Sequence, residues 1–193
     1  MLPKLFCFYL MPNYPSLLLP TCTEILIVWG QTVAVPKAQL QFRAWDGPAL
    51  EDTFGNKPLI DFGGRPVFAE LCVYELFRLS GWDARWVETY GAPAKSPKMF
   101  TSWLNTHRSQ QQHQPLTEAW VAELLAAIAA HNNGRYGGCW DVLGWHNDTA
   151  IFAELKRLKK DRLQTTQPAW LEAGLKAGLQ PENFLLVEWD FLK

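Results

Sequence analysis

The sequence predicts an α/β fold in which a mixed four-stranded sheet is flanked by helices, with a further helix between the first two strands. Three observations predict it. Residues 138–156 hold two β-branched and aromatic runs around His146-Asn147-Asp148-Thr149, the pattern of a hairpin with turn-forming Asn and Asp at its centre. Apolar residues at helical spacing precede and follow it, at 66–81 and 166–179. A last apolar run, Phe184–Trp189, enters after the second helix. Three strands therefore form a meander, and the fourth makes the sheet mixed.

From the N-terminus, the first 36 residues differ from the rest. Leu5 to Thr23 carries no charge, but Pro12, Pro15 and Pro20 interrupt it, which argues against a membrane helix. Lys4 ahead of Leu5–Leu10 has the charge order of a signal peptide with a short apolar core. Glu24–Trp29 reads as a strand or as part of a poorly ordered extension. Residues 1–36 are thus set apart as an N-terminal extension, and 37–193 as the folded domain. Residues 37–65, rich in Gly and Pro, read as a covering loop.

Pro66–Gly81 reads as a helix. Pro66 suits its first turn, Gly81 its end, and Phe68, Leu71, Cys72, Leu76 and Leu79 share helical spacing. Asp83–Tyr90 reads as the first strand of the sheet. Residues 91–115, with Pro93, Pro97 and Gln110–Gln112, read as a loop or flap. Thr117 fits the N-cap of a helix that ends at Asn132-Asn133-Gly134. Beyond the hairpin, Thr166 fits a helix N-cap with Pro168 in the first turn, and Gly178 and Pro181 end that helix.

The hairpin's register points to chemistry. With Trp145 facing Ala150, Asp141 faces Glu154, and their Cβ atoms lie roughly 5 Å apart on one face. Lys156, two residues on, points to the same face. Two opposed carboxylates repel. A divalent cation relieves that repulsion, since Mg²⁺ is typically held by one or two carboxylates with water and phosphate oxygens. The alternative is a solvated face on which Lys156 neutralises both acids. Arg157, Lys159, Lys160 and Arg162 extend the positive charge and offer contacts to a nucleic-acid backbone.

Asp141, Glu154-Leu155-Lys156, Asp161-Arg162-Leu163 and Gln167-Pro168-Ala169-Trp170-Leu171 together resemble the virus-type replication–repair nuclease (VRR-NUC) domain, a branch of the PD-(D/E)xK nuclease superfamily. The likeness covers roughly residues 65–190 in element order, and its specific residues lie in 136–178. Trp140 stands where the family carries Pro. The resemblance implies a restriction-endonuclease-like fold in which residues 91–135 are a helical insertion. It implies metal-dependent hydrolysis of DNA phosphodiester bonds, in repair or replication. Asp141, Glu154, the Leu155 carbonyl and Glu70 would hold Mg²⁺ or Mn²⁺. Lys156 would hold the scissile phosphate or orient the attacking water, and Gln167 would donate towards the phosphate. Glu70 matches the family's helix acid, with Glu75 as its competitor.

Composition bounds these readings. At 193 residues, 48% of them hydrophobic, a single globular domain has room for a sizeable core. A net charge of −1 excludes a generally basic coat, so DNA contact would rest on the local cluster at 156–162. Cys7, Cys22, Cys72 and Cys139 show no paired or zinc-ligand spacing, which suits reduced thiols in a cytoplasmic protein. The four histidines form no metal-like cluster. A second function class stays open: a non-catalytic nucleic-acid-binding or complex-forming module that retains the nuclease fold.

Overall fold

In the computed structural model, the structure describes residues 13–89, 91, 95–161 and 165–193. The chain runs β1 (Cys22–Val28), β2 (Gln31–Phe42), β3 (Ile60–Asp61), β4 (Pro66–Val67), α1 (Ala69–Leu79), β5 (Asp83–Glu88), β6 (Lys98–Phe100), α2 (Ala119–His131), β7 (Val142–His146), β8 (Thr149–Arg157), α3 (Thr166–Lys176) and β9 (Phe184–Phe191). The fold is α/β. Among the described residues the main sheet has seven strands, in the order β1-β2-β9-β8-β7-β5-β6. It is mixed: β9 pairs parallel with both β2 and β8, and the other neighbours are antiparallel.

The sheet is wider than the four strands expected, for identifiable reasons. β1, which takes up the strand alternative for Glu24–Trp29, and the first half of β2 lie in the segment set apart as an extension, so the boundary drawn after residue 36 falls inside β2. All seven residues of β1 and β2 on which they pair, from Cys22–Lys37 to Val28–Gln31, form one continuous ladder. The covering loop is correspondingly shorter. It begins after Phe42 and is tacked to the rest by an Ala44–Ile60 bridge. Pro66 does not enter the helix; its fixed φ serves the short strand β4, and α1 begins after Phe68. Within the stretch expected as loop, Lys98–Phe100 adds an edge strand to β5, and Arg108–Gln110 makes a 3-10 turn. The N-cap of α2 is Glu118 rather than Thr117, and Thr165 rather than Thr166 precedes α3; neither side chain makes a capping hydrogen bond.

The hairpin forms in the expected register. Trp145 pairs with Ala150, and the ladder runs from His146–Thr149 to Val142–Ala153. Asn147, at φ 53°, makes the left-handed step of the turn. β7, β8 and β9 are buried on both faces, which is why they read as nearly unbroken apolar runs. Leu143, Trp145, Ala150 and Phe152 pack on the face covered by α2 and α3. Val142, Ile151, Ala153 and Leu155 pack on the face covered by α1.

Two glycines set the spacing of these layers. A Cβ on Gly144 would lie 2.2 Å from the Phe77 ring of α1, so only Gly lets α1 approach β7 here. A Cβ on Gly138, which sits at φ 86°, would lie 2.3 Å from the Thr166 carbonyl oxygen. That contact brings the first turn of α3 against the chain that leads into β7. Among the described residues no helix is long and apolar enough to cross a membrane. Cys22, Cys72 and Cys139 are free thiols, and Cys7 lies outside the described residues.

Candidate active site

At one end of β7 and β8 the sheet opens into a cleft of about 530 Å³. Gly55–Pro58 of the covering loop, Glu70 of α1, Asp141, Glu154–Arg157 of β8, Lys160, Gln167 of α3 and Trp189 of β9 line it. Asp141 and Glu154 come one step beyond the Val142–Ala153 pair. There the Asp141 carboxylate accepts the Leu155 N–H at 2.8 Å, while its own carbonyl accepts the Val87 N–H at 2.8 Å. The acid therefore ties the start of β7 to both neighbouring strands, β8 and β5, as well as facing the cleft.

Glu154 is the most enclosed of these acids, at 1% exposure. Its Oε1 takes two partners: the Lys156 ammonium at 2.7 Å and the Gln167 Nε2 at 2.6 Å. Its Oε2 is buried with no hydrogen-bond partner among the described residues. Burial pushes the Glu154 carboxyl well above the usual carboxylate range; the Asp141 charge adds to this, and Lys156 opposes it. Burial, then the Glu70 charge, raises Asp141 to about 6, against the pull of Lys57 and the Leu155 N–H. The neighbouring carboxylates thus make these charges costly, Glu70 for Asp141 and both Asp141 and Glu70 for Glu154, and a cation beside them would reverse that cost.

Glu70, in the first turn of α1, lines the cleft and ion-pairs with Lys57. Glu75 pairs with Arg65 at 4.0 Å and is absent from the cleft's lining. The helix phase therefore puts Glu70, rather than its competitor, beside the two sheet acids. Gln167 lines the cleft and donates its Nε2 to Glu154; Trp140 Nε1 donates to its backbone carbonyl at 3.3 Å, so the residue standing in place of the family's Pro anchors the start of α3.

The basic cluster is divided. Arg157 lies over the Phe191 ring at 4.6 Å and pairs with Asp190 at 3.3 Å, so much of its charge is already engaged. Lys160 lines the cleft, and Lys159, at φ 60°, is exposed on the turn. Arg162 lies outside the described residues. Lys57 was not among the residues that the sequence pointed to. Its only sequence signal is a lone cation in the turn-like stretch Gly55-Asn56-Lys57-Pro58.

Among the described residues no three His, Cys, Asp or Glu side chains stand together as a ready metal cage. The two glutamates are instead turned to lysines, Glu70 to Lys57 and Glu154 to Lys156. The donor set fits a hard divalent ion, because Asp141, Glu154 and Glu70 offer carboxylate oxygens and Glu154 Oε2 is buried without a hydrogen-bond partner among the described residues. No family model, curated protein or solved structure matches this chain.

Proposed function

We propose that this chain is a metal-dependent nuclease that hydrolyses DNA phosphodiester bonds, with a restriction-endonuclease-like core of the VRR-NUC kind. The observation that carries the reading is the Glu154 carboxylate: buried, adjacent to Asp141, held by lysine and glutamine at one oxygen and, among the described residues, unpartnered at the other. A scaffold gains nothing from such a group, whose burial without a full set of partners is costly. The order α1, β5, β7, β8, α3, β9 around it supports the same reading, with β6 and α2 as the insertion.

Asp141 and Glu154 would hold Mg²⁺ or Mn²⁺, with Glu70 and the Leu155 carbonyl completing the shell. The ion would supply a bound water of lowered pKa and neutralise charge on the phosphate. Lys156 would hold the scissile phosphate, where a positioned cation opposes the charge that develops in the transition state. Gln167 fixes the Glu154 carboxylate by its 2.6 Å bond and so acts as a positioning residue. Lys159, Lys160, Arg157 and Arg162 would contact the flanking DNA backbone.

A specific observation favours a second reading. Lys57 and Lys156 already neutralise Glu70 and Glu154, as suits a DNA-binding module without turnover. The deciding experiment is an assay with Mg²⁺ or Mn²⁺ on linear, flapped and four-way-junction DNA, with Lys156→Ala as control. Metal-dependent cleavage by the wild type and none by the variant supports the nuclease. DNA binding with no cleavage of any substrate supports the module.

A further inference from the structure

The covering loop between β2 and β3 is built with unusual care around one side chain. Phe54, Gly55 and Asn56 all have positive φ, at 51°, 86° and 65°. Phe54 in that region is a sparsely populated conformation, which persists only where the surroundings over-determine it. They do so here. The Phe54 N–H donates to Asp52 Oδ1 at 2.8 Å, and its ring packs edge-on against Trp86 at 5.6 Å and Trp103 at 5.4 Å. Asp52 is buried and takes Arg108 Nε at 2.8 Å and Nη2 at 3.0 Å, while Trp103 Nε1 donates to the Asp52 carbonyl.

The product of this bracing is the placement of Lys57. Its N–H closes the turn on the Thr53 carbonyl at 3.0 Å. Its ammonium lies 5.3 Å from the Phe54 ring centroid and 5.2 Å from that of Trp86, and it pairs with Glu70 in the cleft. The side chain stays 28% exposed, so it keeps access to a ligand in the cleft, whereas Glu70 is 10% exposed. Aromatic faces that hold an ammonium reduce the ordering cost of a later contact with an anion.

We propose that Lys57 is a dual-purpose cation of this cleft, resting on the nuclease reading above. It is the counter-ion of Glu70 while that carboxylate has no divalent ion to bind, and it is a phosphate-binding side chain once Glu70 is engaged by one. Two consequences separate this from a structural ion pair. Lys57 competes for Glu70, so its removal strengthens metal binding. Lys57 also contacts one DNA phosphate, so its removal weakens DNA binding and makes it less sensitive to salt.

The test uses the full chain, with Lys57→Met and Lys57→Gln as the charge-removing variants and Lys57→Arg as the charge-keeping one. Mn²⁺ affinity is measured by calorimetry without DNA. Binding of a short blunt DNA duplex is measured in Ca²⁺ across a salt series. The charge-removing variants are expected to bind Mn²⁺ several-fold more tightly, and their plot of log affinity against log salt should be shallower by about one unit. Lys57→Arg should follow the wild type in both. Unchanged or weakened Mn²⁺ affinity, or an unchanged slope, in the charge-removing variants overturns the proposal alone. A wild-type chain that binds neither Mn²⁺ nor duplex overturns it together with the nuclease reading.

Discussion

Gln167 Nε2 and Lys156 Nζ converge on the same oxygen of Glu154, at 2.6 and 2.7 Å, and the other oxygen of that carboxylate is buried with no hydrogen-bond partner among the described residues. The carboxylate is therefore aimed rather than merely present: both fixed donors sit on one side of it, one from α3 and one from its own strand.

Gln167→Ala should loosen this aim without removing a charge. A residue that orients a metal-holding carboxylate typically contributes about 10- to 100-fold in metal affinity or activity. The expected result is Mn²⁺ affinity, read by calorimetry, and cleavage rate both reduced within that range, with duplex binding in Ca²⁺ little changed. Wild-type values for both would show that Glu154 does not depend on Gln167.

Asp141→Asn should weaken Mn²⁺ binding strongly. The Asp141 charge opposes the ionisation of buried Glu154, and an ion between them would relieve that opposition while gaining two anionic ligands. Calorimetry on wild type and variant checks this. Equal Mn²⁺ affinity in the two proteins removes the site from consideration.

Lys156→Ala should cut turnover by about 10²–10³, equivalent to about 2.7–4 kcal/mol of transition-state stabilisation. Most DNA affinity should survive, since one phosphate contact among several is lost. Replacing Lys159 and Lys160 together by Ala should do the opposite: weaker and less salt-sensitive binding, with turnover kept at saturating DNA. Single-turnover rates and a salt series on the same proteins separate the two effects.

Asp52→Asn tests the bracing of the covering loop through its effect on stability. The Arg108 guanidinium beside Asp52, with the Phe54 and Arg108 N–H groups, holds its carboxyl down at about 2. A depressed carboxyl contributes stability that is present above its unfolded value, near 3.9, and is lost as pH falls towards 2. Wild type should therefore lose stability over that window more steeply than Asp52→Asn. At neutral pH the variant should be about 2–3 kcal/mol less stable, as expected for lost hydrogen bonds to a charged group, which is a fall in Tm of roughly 5–10 °C. Thermal melts from pH 2 to 7 measure both.

The hairpin was legible because turn chemistry and strand composition agreed, and its register then followed from the pleat. Helical spacing made α1 legible, since it runs without interruption from Ala69 to Leu79, but Glu70 was singled out over Glu75 only by the family resemblance. β1 was hard to read because Leu26 and Val28 are buried while Ile25, Ile27 and Trp29 are exposed; an apolar residue on both faces erases the alternation that marks a strand. β2 carries Pro36 and Lys37 midway, and β6 has only three residues behind Pro97. Lys57 was illegible for a deeper reason. Its position depends on Asp52 meeting Arg108 and on Phe54 meeting Trp86 and Trp103, and no local pattern encodes contacts between such distant segments.

The two-residue turn at Asn147–Asp148 lies about six residues from Asp141 along β7, roughly 20 Å at the rise of an extended chain. It nonetheless decides which residue of β8 Asp141 meets. One residue added to or removed from that turn would slide β7 against β8 and place Ala153 or Leu155 where Glu154 now stands, with every cleft side chain intact in the sequence. The length of this distal turn is therefore as much a determinant of the cleft as the acids themselves. A scan of single-residue insertions along the chain should find a second sensitive point there, far from any residue that would touch DNA.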